Sequence, residues 1–111
     1  MKIPMFVLGT ATTMTLASSC AVAALDDASA QELMKKAGCN ACHTIDKKLV
    51  GPTYHDVAQK RKGTPDAAAM LEKKVREGGK GEYGQIPMPP NPVSKISDAD
   101  LHELIVWVLT K

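Results

Sequence analysis

Aromatic side chains are nearly missing from this sequence: its 111 residues hold one Trp, two Tyr and one Phe. A chain of this length is expected to form one domain, and a domain so small buries only a modest fraction of its surface. With few large rings to fill a core, a bound apolar group is physically attractive, although composition alone does not demand one. An excess of one charge is also missing. The 14 basic residues stand against 12 acidic ones, for a net charge of +2, and no block of Lys and Arg marks a nucleic-acid partner. Cysteine is limited to Cys20, Cys39 and Cys42, so no second Cys pair completes a zinc site of four protein ligands. There is no internal repeat, no low-complexity segment and no alternating strand pattern. Ile105 to Leu109 is rich in β-branched residues, but it lies inside a helical stripe.

The first two dozen residues are unlike the rest. Lys2 is the only charge before Asp26, an apolar run follows through Phe6, Val7, Leu8, Met14 and Leu16, and it ends at Ala21-Val22-Ala23-Ala24. That is the layout of a secretory leader with a small-residue cleavage site. Gly9 and several Thr interrupt the run, which argues against a stable membrane span. The expected division is a cleaved signal peptide at 1–24, cut after Ala23 or Ala24, and a single domain at 25–111. Cys20 follows Ala17-Ser18-Ser19, a poor lipidation signal, and is expected to leave with the leader. Lipidation at Cys20 is the minor alternative.

The rest reads as helices joined by irregular segments. Ser29 and Glu32 precede Leu33 and Met34, which predicts a capping box and a helix through Ala37, ended by Gly38. Pro52 is expected to open a short helix through Tyr54, Val57 and Ala58. Thr64-Pro65 supplies another start, with Thr as N-cap and Pro first in the helix. Ala68, Leu71 and Val75 keep helical spacing until Gly78-Gly79 stops them. Residues 80–95, with two Gly and four Pro, are predicted to be a loop. The last helix starts at Ser97, and Leu101, Leu104, Ile105 and Val108 share one face.

The pattern that carries chemistry is Cys39-Asn40-Ala41-Cys42-His43. Two thiols at this spacing can form thioethers with the two vinyl groups of one haem, and the following His can take an axial position on its iron. A redox-active dithiol would normally follow a strand in an α/β pattern, and no such pattern is present. From Ser29 to Lys111 the chain resembles a small class I cytochrome c of the bacterial c-551 type. The pieces that carry the likeness are Gly38 to His43, Val50-Gly51-Pro52, Ile86-Pro87-Met88-Pro89-Pro90-Asn91 and Trp107-Val108-Leu109. The resemblance implies an all-α fold of about four helices wrapped around one covalent haem c.

If the iron is six-coordinate, its sixth ligand comes from Met34, Met70, Met88, His55 or His102. Met34 lies too near the haem motif on its own helix, Met70 is expected in the core, and His55 and His102 are expected near the surface. Met88 stands between two prolines that stiffen its loop, and the resemblance also places the axial Met there. His43 plus Met88 would favour the reduced iron and raise its potential. The resemblance further implies that the Pro52 carbonyl orients His43 and that Asn91 bonds near the Met88 sulfur. It puts Tyr83, in place of the usual Trp, at a haem propionate, with Lys74 or Arg76 as helper cations. Met34 replaces a common Phe against Trp107, and the two terminal helices are expected to cross there.

The function expected from these features is a periplasmic electron carrier, not itself an enzyme. The resemblance implies that Asn40, Ala41, Val50, Ile86, Pro87, Pro89 and Pro90 ring the exposed haem edge. Lys35, Lys36, Lys47, Lys48, Lys60, Arg61 and Lys62 would surround it with positive charge. Its partners would be redox proteins such as a terminal oxidase, a nitrite reductase or an upstream cytochrome complex, met as a monomer. A peroxidase-like or gas-binding haem protein with an open iron position is the competing reading. A subunit tethered through Cys20 is the third.

Overall fold

The computed structural model describes residues 25–111; the expected leader, its expected cleavage site and Cys20 lie outside the described residues. The first helix, α1 (Asp27–Ala37), is opened by Asp26, whose carboxylate accepts from Ser29 N–H at 2.7 Å. The expected capping box on Ser29 and Glu32 is therefore not the cap. Asp26, extended at φ −76°, ψ 164°, is the residue with N-cap geometry, and Ser29 already lies in the first turn. Gly38 ends α1 in the left-handed region at φ 77°, with its N–H returned to Lys35 O at 3.2 Å, as a C-terminal glycine does.

Helix α2 (Tyr54–Arg61) is capped by Thr53, whose hydroxyl accepts from Asp56 N–H at 3.0 Å; Pro52 precedes the cap instead of opening the helix. Helix α3 (Ala67–Glu77) starts later than Thr64-Pro65 would place it. Pro65 and Asp66 make a turn, Asp66 takes φ 55°, and the helix begins only after it. Helix α4 (Asp98–Val108) begins at its expected cap, with Asp100 N–H donating to the Ser97 hydroxyl at 3.1 Å. Asp98 and Asp100 in its first turn complement the positive end of the helix dipole.

The core forms along α4, which packs on α1, α2 and α3. Leu101, Leu104, Ile105 and Val108 are buried as their spacing requires, joined by Trp107, by Ala30, Met34 and Ala37 of α1, and by Tyr54, Val57 and Leu71. Met34 is 1% exposed, so the thioether fills the place expected between the terminal helices, worth about 2 kcal/mol of burial. Met70 differs from expectation: it is 46% exposed. It precedes buried Leu71 by one position, about 100° around the helix, and so faces away from the core. Trp107 Nε1 donates to Asp27 Oδ1 at 2.8 Å and Lys111 Nζ donates to the same oxygen at 2.8 Å, tying the chain's C-terminus to the start of α1. Among the described residues there is no strand, only an isolated antiparallel bridge between Gly79 and Met88. No described helix is long and apolar enough to cross a membrane.

Candidate functional site

The pentapeptide leaves α1 through Gly38 into a 3-10 turn at Cys39–Ala41. Cys42 N–H and His43 N–H both return to Cys39 O, at 3.1 and 3.0 Å. The turn brings Cys39, Cys42 and His43 to one cavity.

His43 is fixed from three directions. Its Nδ1 lies 2.8 Å from Pro52 O; a carbonyl only accepts, so Nδ1 carries the proton and Nε2 keeps a free lone pair for a metal. Tyr54 stacks on the imidazole at 5.5 Å and 21° and meets Trp107 edge-on at 5.9 Å and 76°. Gly51 closes the third side: its N–H donates to Cys42 O at 2.8 Å, and a Cβ there would lie 2.5 Å from His43 Cε1. Gly51 has no role in the sequence reading, although its place beside Pro52 in the matching motif is the signal that could have drawn attention to it.

Met88 enters the same cavity from the proline loop. Its backbone pairs with Gly79, and three residues on the loop is held again at Asn91. Asn91, 6% exposed, donates from Nδ2 to Val75 O at 3.2 Å and to Pro89 O at 3.0 Å. Both amide protons thus have carbonyl partners, and Asn91 acts on Met88 by stapling the loop backbone to α3. Arg76 completes the staple, donating from Nη1 to Asn91 O at 3.1 Å and Ile96 O at 2.9 Å, and from Nη2 to Asp98 Oδ1 at 2.7 Å. Arg76 is thereby committed to the loop backbone.

A charged cluster at Glu82 was not legible in the sequence. Glu82 pairs with Arg61 through Oε1, with Lys74 Nζ at 3.5 Å and with Lys60 Nζ at 3.8 Å. Lys60 Nζ also lies 4.4 Å over the Tyr83 ring. Lys60 and Arg61 are therefore engaged by this carboxylate and are not simply part of a solvated positive surround. The Tyr83 hydroxyl and Arg61 Nε are buried without a hydrogen-bond partner. Burial pushes the Tyr83 phenol up, with the neighbouring Arg61 charge opposing it, so the group stays a protonated donor.

Cys39, Cys42, His43, Tyr83 and Met88 line one cavity of about 370 Å³. Its apolar wall includes Leu71, Val75, Ile105 and Val108, and Lys74, Glu82 and Tyr83 stand on its polar side. A flat apolar macrocycle with two carboxylates suits such a space: the apolar wall takes the ring, and an unpaired phenol beside three cations sharing one carboxylate takes the acids. Among the described residues no group of three or more His, Cys, Asp or Glu side chains converges to hold a bare metal ion. An all-α fold around a largely apolar cavity lined by Cys39, Cys42 and His43 is that of the class I cytochromes c.

Residues 28–111 match the family model for cytochrome c, and the chain belongs to that family; it carries one covalently attached haem c. The cytochrome c-551 of Azotobacter vinelandii is 50% identical over 80 residues, covering 72% of this chain and 94% of that protein. The cytochrome c-552 of Hydrogenobacter thermophilus is 42% identical over 80 residues, covering 72% of this chain and 79% of its own length. Among solved structures, Nitrosomonas europaea cytochrome c552 superposes with a TM-score of 0.67 at 46% identity, covering 72% of this chain and 96% of that one.

Proposed function

We propose that this cytochrome is a periplasmic carrier of single electrons, with Cys39 and Cys42 as the thioether residues and His43 and Met88 as the axial iron ligands. The observation that carries the reading is the gathering of both thiols, the imidazole and the Met88 loop around one cavity. When bound, the haem supplies a one-electron couple, and a Met sulfur favours its reduced state. The protein's part is placement. Pro52 O and Tyr54 hold the imidazole in one tautomer and orientation, and the Tyr83 hydroxyl, buried without a partner on a residue that lines the cavity, would donate to a haem carboxylate. With His43 and Met88 both serving as ligands, the haem would offer no open position to a substrate, which fits a carrier of electrons and not an enzyme.

Docking follows from the cavity's rim. Val50 is 50% and Ile86 66% exposed, and both line the cavity, so a partner can approach the haem edge across apolar side chains. Lys47 and Lys48 are exposed nearby in sequence to Val50. Such a surface suits short contacts with a terminal oxidase, a nitrite reductase or an upstream cytochrome complex, with lysines steering the encounter. Export rests on the leader at 1–24, which leaves the domain at 25–111. Potentiometric titration of the purified holoprotein with visible spectra tests the reading. A reversible one-electron couple with a red ferric charge-transfer band is expected. A high-spin ferric spectrum would refute closed ligation and turn the reading towards a ligand-binding haem protein.

A further inference from the structure

Gly78 ends α3 with its N–H on Lys74 O at 2.7 Å, but stopping a helix does not explain its geometry. Its backbone stands at φ 71°, ψ −161°, a combination open essentially to glycine alone. A Cβ there would collide with Met88 O and come within 2.9 Å of Pro89 C and Pro90 N. All three are backbone atoms, so no side chain can swing aside. The next residue exchanges both hydrogen bonds with Met88: Gly79 N–H donates to Met88 O at 3.0 Å, and Met88 N–H donates to Gly79 O at 2.8 Å. The missing side chain at Gly78 lets the end of α3 close directly on the peptide units on either side of Met88. Pro87 and Pro89 hold those units stiff from the loop side. Gly63 is a useful contrast: it has nearly the same φ, 74°, yet a Cβ there would meet nothing within 4 Å.

We infer that Gly78 is a positioning residue for the sixth iron ligand: its bare backbone sets the distance between α3 and Met88 at which the sulfur reaches the iron. The inference rests on the proposed ligation by Met88. Three holoprotein variants separate the two ideas, each read by the ferric charge-transfer band and by titration with imidazole, which must displace the sulfur to bind. Gly78→Ala is expected to weaken the band and to bind imidazole about tenfold or more tightly than wild type. Gly63→Ala shares the positive φ but meets no neighbouring atom, so it should lose some thermal stability and keep wild-type imidazole affinity. Met88→Ala should lose the band altogether. If Met88→Ala keeps the band, the ligation reading falls and this inference falls with it. If Met88→Ala loses the band while Gly78→Ala binds imidazole as Gly63→Ala does, this inference alone is overturned. Should Gly78→Ala fail to accumulate as holoprotein, Gly79→Ala takes its place. Its Cβ has room, 3.6 Å from Lys74 Nζ, but its φ of 136° is strained, and unlike Gly63 it carries both backbone hydrogen bonds to Met88, so the strain passes to the same peptide units. Imidazole affinity between wild type and tenfold tighter is expected, and affinity equal to that of Gly63→Ala overturns the proposal.

Discussion

The His43 and Met88 sides of the cavity are held by different kinds of contact. His43 is fixed by neighbours in sequence: its N–H returns to Cys39 O, its Nδ1 meets a carbonyl 9 residues away, and Tyr54 covers its ring. Met88 pairs locally with Gly79, but the rest of its loop is held through α3. Asn91 reaches Val75 across 16 residues, and Arg76 reaches Asn91, Ile96 and Asp98 across 15, 20 and 22. Local contacts close small loops and reform readily, whereas each long-range staple depends on the helix it is anchored to. The Met88 side should therefore be the first to open under heat or denaturant, with the His43 side staying formed.

The largest expected effect strikes the scaffold behind His43. Trp107 is 3% exposed and meets Tyr54 edge-on, so Trp107→Ala should cost about 3–5 kcal/mol in guanidinium unfolding. It should also broaden the haem environment on the imidazole side, because Tyr54 loses its backing. A variant with wild-type stability and haem spectrum would refute the crossing of α1 and α4 at this residue.

Arg76→Ala attacks the other side. Its two carbonyl partners lose a charged donor, while the ion pair to Asp98, an acid 85% exposed, adds little. A loss of about 2–3 kcal/mol is expected. Hydrogen exchange sharpens the comparison: the Met88 and Asn91 amides should exchange faster in the variant, and the His43 amide should not. Equal acceleration at His43 would mean that the two sides open as one unit. Gly51→Ala is the converse change. Its Cβ needs space held by His43 Cε1, so the ring must tilt at a cost of about 1–3 kcal/mol, seen as shifted imidazole proton resonances with the Met88 amide unchanged.

Sequence reading reached these two sides unequally, for a physical reason. The pentapeptide and the Pro52 carbonyl form a local unit, so residue order nearly dictates the geometry around His43. The stripe of Leu101, Leu104, Ile105 and Val108 was legible because helical period alone selects the buried face. The start of α1 was misplaced because Asp26 and Ser29 are both competent caps three residues apart, and only backbone conformation decides between them. Thr64-Pro65 satisfies the rules for a helix start, yet the turn through Asp66 delays it. The Glu82 cluster joins α2 and α3 to a loop, with Arg61 and Glu82 21 residues apart, a separation at which charge pattern carries no pairing information. Gly78 was legible as a helix stop, but its contact with Met88 exists only after the loop folds back.

Titration should act mainly on the scaffold behind His43, since the Asn91 amide that staples the Met88 loop has no proton to lose in the accessible range. At the alkaline end, burial pushes the Tyr54 phenol well above its ordinary value of 10. Its folded value is raised, so the stability it contributes is complete below pH 10 and is lost as pH rises towards the folded value. Tyr54→Phe has no such proton to lose, and its stability curve should stay flatter above pH 10. The smallest effect lies at the acid end. Hydrogen bonds from Lys111 and Trp107, with the Lys111 charge, hold the Asp27 carboxyl below its ordinary value of 3.8. A lowered folded value means that this contribution is present above pH 3.8 and fades as pH falls through the folded value. Asp27→Asn keeps an oxygen that can accept from Trp107 but loses the charge. Its unfolding midpoint should therefore sit slightly below wild type at pH 7 and converge with it in acid. A gap that persists unchanged in acid would show that the carboxylate's charge is not what ties the C-terminus to α1, and that the His43 scaffold is closed there by Trp107 packing alone.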